Sequence, residues 1–254
     1  MFGLKDSPVA IGNYVEWRAQ NRVFQQMGAL ERGTFRLTGT GEAQQIQGSV
    51  VTASLFYTLG VQPALGRLFR EDEDQPGTPK TAILTDGLWR CEFGGDPEVV
   101  GRTAEINDEE YLVVGVMPAG FRFPDSNNEI WAPVGTWYSP SDFSNKGRHN
   151  ALVAARLKPG VSMAQANEDM GAIARRLERD FPQTNARVGA FVAPLRDHFM
   201  ADLRTTLMVP GGAKWRSGRQ SAPTVGRWRV NCLRRTCCWR VVADSAASRS
   251  RCGA

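Results

Sequence analysis

The chain has 254 residues, 42% of them hydrophobic, which is enough for one large domain or two smaller ones with a true core. Its formal charge of +5 invites a nucleic-acid or anionic-membrane partner, but ten of the 31 Lys and Arg residues lie between Gly211 and Ala254 against one acid, Asp244, so the rest of the chain is mildly acidic. The cysteines divide the same way, with Cys91 alone ahead of Cys232, Cys237, Cys238 and Cys252, which excludes a disulfide framework for the main body.

Residues 8 to 24 place Ile11, Tyr14, Val15, Trp17, Arg18, Arg22, Val23 and Phe24 at mixed helical spacings, which predicts a first helix interrupted by Gly28 and Gly33. From Leu30 the pattern turns strand-like. Phe35 and Leu37, then Thr-Gly-Thr-Gly at 38–41, then Ile46 and Val50 read as a β-hairpin. Ser54 to Leu59 predicts a short helix stopped by Gly60, followed by a turn-rich connection over 61–67.

The acidic run Glu71, Asp72, Glu73, Asp74 lacks the alternating ligands and central glycine of a calcium loop and reads as a solvated face. Thr81 to Thr85 predicts a strand, and Asp86 is placed as the N-cap of a helix with Leu88, Trp89 and Phe93, which Gly94-Gly95-Asp96-Pro97 ends. Cys91, on that helix, reads as a small buried packing residue. Residues 103–106 and 111–116 flank Asn107-Asp108 as a second hairpin, and a loop rich in aromatic residues follows Met117-Pro118. Phe121, Phe123, Trp131 and Trp137 belong to that stretch. They are mainly core candidates, and any exposed member is a candidate partner contact.

The clearest helix begins at Ser162, which forms a capping box with Gln165. Met163, Ala166, Met170, Ile173, Ala174, Leu177 and Phe181 make one apolar stripe, and Pro182 ends the helix. Strands at 152–157 and 188–193 would complete a β-α-β unit and an α+β fold.

Nothing in the sequence builds a catalytic, cofactor or metal site. His149 sits in a polar loop, His198 follows Asp197 and so points elsewhere than its neighbour, and no nucleophile elbow, zinc helix or phosphate loop occurs. Gly94-Gly95 lacks the Lys-Ser/Thr that grips a phosphate and reads as a turn. The expectation is a protein without enzymatic activity.

Three linked segments carry a resemblance: VTASLFYTLGVQPALGRLF (51–69), LWRCEFGGDP (88–97) running on to VVGVMP (113–118), and ARLKPGVS (155–162). In this order they resemble the MacB-like periplasmic core domain of FtsX-family ABC transporter permeases, especially the long acidobacterial type, over residues 7–209. The resemblance implies an α+β fold, a porter-like β-α-β sandwich with a smaller inserted α/β, sabre-like subdomain at about 51–140. It also implies a place at the periplasmic face of the cell inner membrane. The implied role is to pass on motion driven by a cytoplasmic ABC ATPase, with the permease's membrane helices, a periplasmic adaptor and a second copy in a homodimer as partners, no nucleic acid, and no cofactor.

The family has a membrane helix before Tyr14–Trp17 and another after Leu203–Val209. Here Met1 lies thirteen residues before Tyr14, and Pro210-Gly-Gly-Ala-Lys-Trp follows Val209, so the expectation is a domain lacking both anchors. Residues 210–254 lack Ile, Phe, Tyr, Met and Glu, and read as a disordered basic tail translated out of frame. Their interleaved Arg and Trp suit nucleic acid, and Cys232, Cys237 and Cys238 suit zinc, but no CxxC pairs and no hydrophobic periodicity support either. A stand-alone binding domain of the same fold is the alternative.

Overall fold

The structure is a computed structural model, and it describes residues 8–38 and 42–195. The tail, Leu203–Val209 and His198 therefore lie outside the described residues. In chain order come β1 (Val9–Ala10), α1 (Ile11–Gln20), β2 (Phe24–Thr38), β3 (Gln44–Val51), α2 (Ser54–Leu59) and β4 (Leu65–Gly66). After a 3-10 turn at Glu71–Asp74 follow β5 (Thr81–Leu84), α3 (Asp86–Glu92), β6 (Thr103–Ile106), β7 (Glu109–Val116) and β8 (Ile130–Pro133). The last elements are α4 (Pro140–Ser144), β9 (His149–Leu157), α5 (Met163–Asp180) and α6 (Pro182–Asn185). Mixed strands and packed helices make the fold α+β.

β2 organises everything else. Its first half pairs with β9, from Phe24↔Leu157 to Leu30↔Leu152, and its second half pairs with β3, from Leu30↔Val51 to Leu37↔Gln44. β1 lies antiparallel to β9 on its other side, so β1 and β2 run parallel with β9 between them and α1 as the crossover. This is a split β-α-β unit. It sits at the start of the chain, whereas the one expected from the sequence spanned 152–193.

The second half of β2 belongs to a ring. β3 pairs with β8, β8 with β5, β5 with β7, β7 with β6, and β6 returns to β2 through Leu37↔Ile106 and Thr38↔Glu105. Asn107 reinforces the closure, donating its N–H to Arg36 O at 2.8 Å while its side chain accepts the Arg36 N–H at 2.8 Å. Residues 51–140 thus supply β4 to β8, hydrogen-bonded into one continuous sheet with β2 and β3.

Alternation along the strands divides the core. Ala29, Phe35, Leu37, Val50, Leu84, Val113 and Ile130 join Ile11 and Tyr14 of α1 and Met170, Ile173 and Leu177 of α5 in one cluster. The neighbouring positions Leu30, Val51, Ile83, Val114 and Trp131 point the other way, against Phe56 of α2 and Phe69.

Several sequence expectations change in three dimensions. Gly28 and Gly33 do not interrupt anything and instead lie inside β2. A Cβ on Gly28 would stand 2.4 Å from Leu55 Cα, and one on Gly33 would stand 2.0 Å from the Trp137 ring, so both positions are vacated for close neighbours. Helix α1 ends at Gln20, and Phe24, assigned to it from spacing, opens β2.

Thr85, not Asp86, is the N-cap of α3: its Oγ1 accepts the Leu88 N–H at 3.1 Å, while Asp86 pairs with Arg90 one turn on at 2.9 Å. β8 falls in the stretch read as an aromatic loop. Its residues are buried on both faces, which erases the alternation that marks a half-exposed strand.

Residues 188–193 form no strand. The Asn167 side chain takes the role of a partner backbone there, accepting from Val192 N at 2.8 Å and donating to Val192 O at 3.1 Å. The capping box of α5 forms as expected, with Ser162 Oγ accepting from Gln165 N at 3.2 Å and Gln165 Oε1 accepting from Ser162 N at 2.9 Å. Phe181, the last residue of the expected stripe, is the C-cap and is 39% exposed, because the helix axis has ended and its direction is no longer set by the 3.6-residue period.

Candidate functional site

The four aromatic candidates do not form one patch. Trp131 is fully buried and Phe123 is 7% exposed, and the Trp131 indole N–H donates to Phe123 O at 3.1 Å. Phe121 is half-buried beside Trp131, with ring centroids 5.6 Å apart, and both pack on Phe56. Trp137 is elsewhere. It stacks on Phe35 at 5.1 Å and fills the space over Gly33. Of the four, only Phe121 and Trp137 keep part of their surface.

The acidic run divides in function. Glu71 and Asp72 are exposed, as expected, but Glu73 is 4% exposed. Its carboxylate takes both Arg67 guanidinium arms, at 2.9 and 2.8 Å, and the Arg70 N–H at 2.6 Å. Burial pushes the Glu73 pKa up, yet the Arg67 and Arg70 donors outweigh it and hold the group below its ordinary value.

Asp74 next to it accepts the Ala53 N–H with both oxygens, at 2.9 and 3.1 Å, at the start of α2. Here burial wins over the Ala53 N–H and the Arg18 charge, and the pKa is pushed up to about 7. The solvated-face expectation therefore fails for Glu73 and Asp74, because the chain folds the run into a 3-10 turn that aims two of the four carboxylates inward.

A second polar cluster went unseen in the sequence. Glu31, in the middle of β2 and 9% exposed, accepts from the Tyr138 hydroxyl, from Asn150 Nδ2 at 2.5 Å and from Arg148 Nη2 at 3.3 Å. Burial and the facing Glu31 carboxylate raise the Tyr138 pKa well above its ordinary value. The three partners lie more than 100 positions away along the chain, so only the fold assembles them. Their chemistry is that of an anchor: the buried acid is saturated with donors and offers nothing to an outside molecule.

The two ends of the described domain are tied by another buried contact. Asn13 of α1 donates to Asn185 of α6 at 2.8 Å, with both side chains 1% exposed, and the neighbouring Tyr14 hydroxyl reaches Met27 O in β2 at 3.1 Å.

His149 is the exposed first residue of β9. Cys91 is exposed too, which corrects the packing role expected of it; on α3 only Leu88 is buried. Gly94 and Gly95 form the turn after α3. Among the described residues no group of His, Cys, Asp and Glu is placed to hold a metal ion, and no helix is long and apolar enough to cross a membrane. A groove of about 520 Å³ runs between α1, the start of β2, α2 and the 3-10 turn.

Known proteins share this architecture. The periplasmic region of MacB from Actinobacillus actinomycetemcomitans is similar at a TM-score of 0.54 and 14% identity, with 82% of this chain and 86% of that one covered. A domain of a putative permease protein from Porphyromonas gingivalis is similar at 0.54 and 16%, covering 77% and 87%. The extracellular domain of the noncanonic ABC-type transporter YknZ from Gram-positive bacteria is similar at 0.51 and 14%, covering 69% and 85%. At such identities these likenesses speak for the fold. No curated protein matches the sequence. The family described as the MacB-like periplasmic core domain matches residues 9–173, most of the chain, with β1 through most of α5 inside the match. The chain belongs to the MacB-like periplasmic core domain family.

Proposed function

We propose that this domain is the extracytoplasmic part of an ABC transporter permease at the periplasmic face of the cell inner membrane, and that it passes on motion driven by a cytoplasmic ABC ATPase during export. It performs no chemistry of its own. The Asn13–Asn185 contact carries this reading: it fastens the first described helix to the last described one, near the two places through which membrane helices on either side would act on the domain. Force arriving there meets one body. The neighbouring Tyr14 hydroxyl reaches β2 at Met27 O, and β2 spans 15 residues, or about 50 Å, into the closed ring of strands, so displacement at one end is expected to move the other.

In this reading residues 51–140, which supply β4 to β8, are the inserted subdomain. The adaptor or cargo is proposed to meet the ring there, with Phe121 and Trp137 as the aromatic contacts that retain surface. A second copy in the assembled permease is part of the proposal.

Paired spin labels test it. The chain is produced with its membrane helices and ATPase, Cys91, Cys232, Cys237, Cys238 and Cys252 are replaced by Ser, and one label pair is set within the domain, at Arg102→Cys and Arg175→Cys. A second pair joins Arg175→Cys to a membrane helix. ATP is expected to change the second distance and leave the first as it was. Two unchanging distances, or a change confined to the interior of the domain, would count against a rigid transmitting body.

A further inference from the structure

The groove of about 520 Å³ has the size of a ligand site and a structure of its own. On the side of β2 that faces β3, pairing with β3 begins only at Leu30. Short side chains satisfy the next edge groups: Thr52 Oγ1 accepts from Ala29 N at 2.9 Å and Ser54 Oγ donates to Met27 O at 2.8 Å. Before Met27 that substitution stops. The β2–β9 register skips Gln25, a bulge that leaves Gln25 and Gln26 both exposed in succession. Their side chains make no hydrogen bond within the described residues.

Those two amides line the groove above an apolar floor of Phe24, Met27 and Phe69, all buried. Tyr57, 48% exposed, stands on the α2 wall. Arg18 and Arg70 reach in from two different elements against the single acid Glu71, so the lining carries a net positive charge. Arg18 is held by Glu71 at 2.7 Å, whereas Arg70 has only the solvent-exposed Asp72 at 3.3 Å and is the more readily recruited.

We infer that this groove receives an extended peptide segment of a partner protein, with an acidic side chain beside an apolar one, lying along the Gln25–Met27 stretch of β2. Free side-chain amides both donate and accept, which matches the alternating C=O and N–H groups of a peptide backbone. A lipid tail would leave those amides dry and unpaired. The apolar side chain of the segment meets Phe24, Met27 and Phe69, and its carboxylate meets Arg70. The site does not depend on the mechanical role, since a domain that fails to bind peptide can still move as one body.

The test uses the full chain and three probes: a fluorescein-labelled hexapeptide alternating Val and Glu, its Val and Lys counterpart, and decanoate. The Val-Glu peptide is expected to bind wild type, with the Val-Lys peptide and decanoate failing to compete, and Arg70→Glu is expected to weaken it at least about tenfold. Gln26→Glu, an exposed change at another residue of the groove lining, repeats the test should Arg70→Glu alter the circular dichroism spectrum. Equal binding of both peptides, binding unchanged in the variants, displacement by decanoate, or no binding at about 1 mM peptide would each overturn the inference.

Discussion

Asn13 and Asn185 stand 172 positions apart and share a buried hydrogen bond of 2.8 Å. The bond joins α1, which enters the domain, to α6, which follows the long helix α5. Removing either partner leaves a buried polar group without its partner, Asn13 Nδ2 without its acceptor or Asn185 Oδ1 without its donor. Asn13→Ala and Asn185→Ala are each expected to cost about 1–3 kcal/mol. Urea unfolding of the two single variants and the double variant checks this, with the double loss smaller than the sum of the singles because both remove the same contact. Additive losses would show that the two side chains act separately.

Asp74 makes stability depend on pH in the direction opposite to a paired carboxylate. Its folded pKa is raised from 3.8 to about 7, so between those values the folded state keeps a proton that the unfolded state has released. The contribution is fully present below about pH 3.8 and is lost as pH rises through 7, at a slope of at most about 1.4 kcal/mol per pH unit. Asp74→Asn keeps an oxygen for the Ala53 N–H and removes the titration. The stability of wild type minus that of Asp74→Asn is expected to fall from pH 4 to pH 7 and level off above it. A flat difference over that range would show that Asp74 is ionised throughout.

The two glycines inside β2 differ in what they yield to. A Cβ at position 28 meets the backbone of Leu55, which α2 holds in place, whereas one at position 33 meets the ring of Trp137, a side chain with freedom to shift. Gly28→Ala is expected to cost about 1–3 kcal/mol and Gly33→Ala less. Urea midpoints rank them. The reverse order would mean that the Trp137–Phe35 stack is more rigid than the α2–β2 contact.

Patterns that rest on near neighbours were legible in the sequence. The Ser162–Gln165 capping box, the stripe from Ala166 to Leu177, the strand at Thr81–Leu84 and the Asn107-Asp108 hairpin all appear in the fold, because each is set by side chains two to four positions apart. The linked segments at 51–69, 88–118 and 155–162 also carried the family resemblance, and the family match covers 9–173. Trp131 shows the limit of such reading. Its aromatic character was plain, but its burial depends on β8 lying between β3 and β5, strands that are distant in sequence.

Sequence alone determined the elements set by near neighbours, such as helix α5 with its capping box and the paired strands around Asn107-Asp108, and to which family the chain belongs. Tertiary structure decided which side of those elements would be inside. It closed the ring through Leu37 and Ile106, drew Glu73 and Asp74 inward, turned Cys91 outward, gathered Tyr138, Arg148 and Asn150 around Glu31, and left Val192 to the side chain of Asn167. The physical reason is range: periodicity records interactions within a few residues, while burial and charge pairing depend on which distant segment arrives, and that is written only in the packed whole.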